Sequence, residues 1–75
     1  MSRLPRVTGR EVRKALISAG FTEIRVRGSH HYLYHRDRDS IVTVPVHSGR
    51  VLAPKTLKSI MAQASISIDD LRELL

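Results

Sequence analysis

The chain has 75 residues and no cysteine, which fits one small domain with about 3–5 kcal/mol of net stability and excludes a disulfide scaffold, a thiolate zinc site and a cysteine nucleophile. No apolar run approaches the roughly 20 residues that span a bilayer, and the stretch with Arg3, Pro5 and Arg6 lacks a signal peptide's apolar segment, so a soluble cytoplasmic protein with no membrane partner is expected. The formal net charge is +6, and all of that excess lies in residues 1–38, since residues 39–75 carry equal numbers of basic and acidic side chains. Two readings fit such a basic half: a solvated surface kept for solubility, or a surface that meets a phosphodiester backbone or an acidic partner.

Thr8-Gly9-Arg10-Glu11 has the form of a capping box and predicts a first helix from this point. Val12, Ala15, Leu16 and Ala19 follow at helical spacing as its apolar stripe, and Gly20 supplies a left-handed end. From Phe21 the period changes to two. Ile24 and Val26 then alternate against Glu23, Arg25 and Arg27, which predicts a strand that buries the first pair and displays the arginines. Gly28-Ser29 is a tight turn into a second alternating strand, His30 to His35.

Arg36 to Ser40 reads as an exposed loop. Ile41 to Val46 is a third strand with Val42, Val44 and Val46 toward the core, and Pro45, which has no N–H to donate, assigns it to a sheet edge. His47 to Arg50 forms a loop. Pro54 opens a second helix with the stripe Leu57, Ile60, Met61 and Ala64. Ser67 with Asp70 repeats the capping pattern ahead of a short third helix carrying Leu71, Leu74 and Leu75. The fold class expected is therefore α+β, in the order α-β-β-β-α plus a short C-terminal helix, with the helices packed on one face of a three-stranded antiparallel sheet.

The other sheet face then stays open. Leu33 must point inward, so His30, Tyr32 and Tyr34 point outward with Arg25 and Arg27, and His47 lies nearby. RNA carries its own nucleophile, the 2′-hydroxyl. Its cleavage needs a base for that proton, an acid for the leaving oxygen and cations for the phosphorane, so no metal or other cofactor is required. Imidazole serves as base or acid near neutral pH, and guanidinium offers a planar fork to phosphate. His30 is thus the candidate general acid/base, against the plainer reading of a surface histidine at a turn, and Arg25 and Arg27 are candidate phosphate ligands.

Ser29, beside them in the turn, joins the RNA-contacting set. Tyr32 and Tyr34 are either stacking platforms for unpaired bases or ordinary cross-strand tyrosines. His47 is either a second proton carrier or a loop residue. Lys55, near the start of the second helix, is either a phosphate contact or part of a solvated face. His31 has core-facing parity and reads as a packed structural histidine, while His35 at the loop entrance reads as solvated. His31 and His35 lie about 13 Å apart at roughly 3.3 Å per strand residue, and His30 faces away from both, so no shared metal ion is expected.

These residues, in order, resemble the HicA (YcfA-like) family of mRNA interferase toxins. The resemblance is carried by the capped first helix ending Gly20-Phe21, by Arg27-Gly28-Ser29-His30-His31, by Val42-Thr43-Val44-Pro45-Val46-His47, and by Pro54 with Thr56-Leu57 and Ile60 leading to Gln63-Ala64. It covers residues 8 to 75, within a single domain of residues 1–75 whose first seven residues form an N-terminal extension. The resemblance implies a fold like the double-stranded-RNA-binding domain (dsRBD), metal-independent endoribonuclease activity on mRNA, and neutralisation by a HicB-type antitoxin protein that covers the active surface. It also assigns catalysis to His30, the residue that strand parity independently turns outward.

Taken alone, the protein is expected to be a monomer. A non-catalytic RNA-binding module using the same arginines and tyrosines is the alternative. Family members often carry glycine where this chain has Lys55 and Ser65. Serine in a left-handed cap costs roughly up to 1 kcal/mol relative to glycine, which leaves open a differently built turn before the third helix.

Overall fold

A computed structural model describes residues 3–75; Met1 and Ser2, the start of the N-terminal extension, lie outside the described residues. The order is α1 (Gly9–Ser18), β1 (Thr22–Arg27), β2 (His30–His35), β3 (Ser40–Pro45), α2 (Pro54–Ala64) and α3 (Ile68–Leu74). The strands form one antiparallel sheet in the order β1-β2-β3. This is the α+β architecture read from the sequence.

Local chemistry sets each boundary. Thr8 and Glu11 form the expected capping box at the start of α1. At its end the Phe21 amide donates to the Leu16 carbonyl and the Gly20 amide to that of Ile17, the two bonds of a Schellman motif, with Gly20 at φ +102°. Proline occupies the first turn of α2, and Ser67 with Asp70 caps α3. The turn into α3 keeps the left-handed geometry despite its serine: Ser65 sits at φ 56°, ψ 43°.

The core lies between one sheet face and the helices. Leu33, Val42 and Val44 from the sheet meet Val12, Ala15 and Leu16 of α1, Leu57, Ile60 and Ala64 of α2, and Leu71 of α3. Gly9 is buried where α1 meets the end of β3, and a Cβ there would lie 2.0 Å from the Pro45 carbonyl oxygen. Val7 belongs to the core as well, and its carbonyl accepts from the Leu52 amide at 2.8 Å. This contact ties the loop after β3 to the segment that enters α1. At the far end of the chain Arg72 donates to the Arg3 carbonyl.

Three expectations need correction. Ile24 and Val26 are not buried but 53% and 52% exposed. The ladder is irregular between Glu23 and Arg25: Glu23 stands opposite Leu33 and Arg25 opposite Tyr32, so Ile24 is an extra residue, as in a β-bulge. Val26, opposite His31, does share the helix-side face. It stays exposed because β1 is an edge strand, while α1 packs on β2 and β3 and α2 on β3. His35 is not solvated; its ring meets Phe21 edge-on, with centroids 4.9 Å apart. Leu75 is 47% exposed and adds little to the apolar face of α3.

Candidate functional site

The bulge decides what each sheet face carries. In an uninterrupted strand Glu23, Arg25 and Arg27 would share a face. With the extra residue, Glu23 lies on the face of Leu33, while Arg25 pairs with Tyr32 and Arg27 with His30 on the other. The same register puts Thr43 opposite Tyr32 and Pro45 opposite His30. Arg25, Arg27, His30, Tyr32 and Tyr34 therefore share the face away from the helices. The carboxylate nearest to them in sequence is turned to the opposite side.

His30 begins β2, immediately after the two-residue turn Gly28-Ser29. Gly28 takes φ +60°, a conformation open to glycine in a hairpin turn. His30, Arg25 and Arg27 are exposed, and Tyr32, Tyr34 and Ser29 are half-buried. The Arg25 guanidinium carbon lies 6.0 Å from the centre of the Tyr32 ring, at the outer limit of a cation–π contact. Tyr34 donates to Asp39 at 3.1 Å, and that hydrogen bond holds its hydroxyl pKa above the ordinary value. The aromatic stripe thus has its basic end at Arg25 and its acidic end at Asp39.

His47 is exposed past the end of β3. With Pro45, Arg50, Val51, Leu52, Ala53 and Thr56 it lines a shallow cavity of about 280 Å³. Pro45 pairs with His30, so this cavity adjoins the histidine end of the open face. Arg50, which the sequence reading left unassigned, belongs to it. Lys55 is exposed near the start of α2 and is not among the residues lining this cavity. The structure brings together Arg25, Arg27, His30 and Tyr32, with Ser29 and Tyr34 at the margins and His47 around the sheet end, but it does not join Lys55 to them.

On the helix side, His31 is held as a structural histidine should be. Its Nδ1 lies 2.6 Å from Glu23 Oε1, and a carboxylate can only accept, so Nδ1 carries the proton. Arg13 grips the same carboxylate, with Nε donating to Oε1 at 2.6 Å and Nη2 to Oε2 at 3.1 Å. Hydrogen bonds from Arg13 first and His31 second hold the Glu23 pKa down to about 2. Among the described residues, no group of three or more His, Cys, Asp and Glu side chains is placed to hold a metal ion. No helix of the described residues is long and apolar enough to cross a membrane.

A family model described as HicA toxin of bacterial toxin-antitoxin matches residues 9–66. That stretch runs from the first residue of α1 through the whole sheet to just beyond α2. No curated protein matches the chain.

Proposed function

The chain belongs to the HicA toxin family of bacterial toxin–antitoxin systems, and on that footing we propose that it is a metal-independent endoribonuclease cleaving mRNA on its open sheet face. The carrying observation is the exposed His30 imidazole, paired in register with Arg27 and adjoining the Arg25–Tyr32 contact. His30 takes the proton of a 2′-hydroxyl, and the 2′ oxygen attacks the adjacent phosphorus. The bond from phosphorus to the 5′ oxygen then breaks, and that oxygen leaves with a proton from the imidazolium or from water. Arg25 and Arg27 hold phosphate oxygens and offset the charge that builds on the phosphorane. Tyr32 and Tyr34 stack on unpaired bases, with Ser29, His47 and Lys55 as outer contacts.

A basic, open sheet face also suits a protein inhibitor that covers it. The partner is a HicB-type antitoxin, both proteins act in the cytoplasm, and the toxin alone is a monomer. The test is cleavage of a single-stranded mRNA fragment in EDTA with analysis of the product ends. The parent should leave 2′,3′-cyclic phosphate or 3′-phosphate ends, and His30→Ala should leave the RNA whole. Ends bearing a 5′-phosphate would overturn the 2′-hydroxyl mechanism, and RNA that the parent shifts without cutting would favour the binding module.

A further inference from the structure

The unexplained charge lies around the sheet end from His30, on the helix side. Arg10, Arg13, His31, Val46, Ser48 and Gly49 line a cleft of about 370 Å³. Resting on the nuclease reading above, we infer that this cleft is a second phosphate subsite, which holds a backbone phosphodiester of the same RNA strand whose neighbouring segment lies at His30.

Four observations support this. First, no carboxylate lines the cleft, and the Glu23 carboxylate beside it is already taken by Arg13 and His31. With its Nδ1 donating to Glu23, the His31 ring is fixed in orientation; Nε2 of the neutral ring is an acceptor, so contact with a phosphate oxygen falls to Arg10 and the turn amides and not to His31. Second, Arg10 is exposed in the first turn of α1, where a cation opposes the helix dipole. Its guanidinium has no hydrogen-bond or ion-pair partner among the described residues. The helix end itself is already met by the Glu11 carboxylate of the capping box, so an anion in the cleft would be met by the Arg10 guanidinium.

Third, His47 to Arg50 is a β-turn closed by the Arg50 amide on the His47 carbonyl, with Gly49 at φ +68° in the position that type II turns reserve for glycine. The Ser48 and Gly49 amides have no acceptor among the described residues, so they are free to donate. Fourth, the turn is shared: His47 and Arg50 line the cavity on one side of it, and Ser48 and Gly49 line the cleft on the other. His30 and His31 are consecutive on β2. A strand leaving His30 can pass Pro45 and this turn and set a further phosphate in the cleft.

The experiment uses His30→Ala protein, so that RNA stays intact while its binding is measured. Arg10→Ala changes an exposed side chain with no described partner and is expected to fold. It should weaken binding of a short single-stranded RNA several-fold and lower the slope of log affinity against log salt by about 0.7, one phosphate contact on a single strand. Inorganic phosphate, followed by amide NMR, should move the Ser48 and Gly49 signals, and less so in Arg10→Ala. Unchanged RNA affinity and salt slope in Arg10→Ala would overturn the subsite, as would Ser48 and Gly49 signals that stay still in phosphate. Signals that respond to an oligoglutamate peptide but not to RNA would assign the cleft to an acidic protein instead. Failure of the nuclease reading is seen separately, as RNA that the parent protein binds without cutting, and failure of the His30 assignment as RNA cleavage by the His30→Ala protein itself.

Discussion

His30 and His31 are neighbours in sequence and opposites in circumstance. The first stands on the open face, exposed, between Arg27 and Pro45. The second is on the helix side with its side chain 20% exposed, its Nδ1 bound to a carboxylate that an arginine also holds. The difference arises one strand away, where the extra residue at Ile24 sends Glu23 to one face and Arg25 and Arg27 to the other. One imidazole is thereby left beside two arginines that have no carboxylate partner among the described residues, where the proposed mechanism uses it. The other belongs to an ion network that fastens α1 to the sheet.

The largest way to sharpen that contrast is to strip the open face of its cations. Arg25→Ala and Arg27→Ala should each weaken RNA binding and lower the salt slope by about 0.7, and together by about twice that, with unchanged thermal stability because both side chains are exposed. An unaltered salt slope in the double variant would remove both from the phosphate contacts.

A smaller effect is expected on the helix side, read as acid stability. The folded Glu23 pKa of about 2 lies below the ordinary value near 4.3 in an unfolded chain, so its contribution is fully present above about pH 5. That contribution is lost as the pH falls through 4 toward 2. Chemical denaturation across this range should show a flatter acid limb for Glu23→Gln than for the parent, and superimposable limbs would mean that the network does not stabilise the fold. The smallest effect belongs to the turn before α3, remote from either histidine. Ser65→Gly should stabilise by up to about 1 kcal/mol in denaturant melts, because glycine takes a left-handed φ of 56° freely, and should leave cleavage unchanged.

Much of this arrangement was legible in the chain. The caps at Thr8 and Ser67, the turn at Gly28-Ser29, the proline at the head of α2 and the edge position of β3 all follow from local chemistry that acts within a few residues. Thr43, also on the β3 edge, confirms the point: its amide turns away from β2 to the Gln63 side chain. The parity of β2 was legible as well, because Leu33 fixes it. The bulge was not. Ile24 carries no glycine or proline signal, and an extra residue shows only in the pairing with β2, a non-local fact. Parity alone would have buried Ile24 beside Val26 and left Glu23 among the arginines.

His35 did carry a signal that the loop reading overrode. It shares the parity of Leu33, and the missing Cβ at Gly20 leaves room for its ring, since a Cβ there would lie 3.1 Å from Nε2. The Arg13–Glu23–His31 network, which brings together α1, β1 and β2, needed the tertiary fold to appear. Arg10 and the Ser48-Gly49 turn join it only through α1 docking against the end of β3, a contact that Gly9 permits by lacking a side chain.

The division of labour between the two histidines is tested most directly by single-turnover cleavage at saturating RNA, with His30→Ala and His31→Ala measured beside the parent. His30→Ala should lose on the order of a hundredfold or more in rate with its melting temperature unchanged, and His31→Ala should lose less rate and more stability. A His30→Ala protein that cuts at the parent rate while His31→Ala is inert would put the chemistry on the helix side of the sheet and contradict the account.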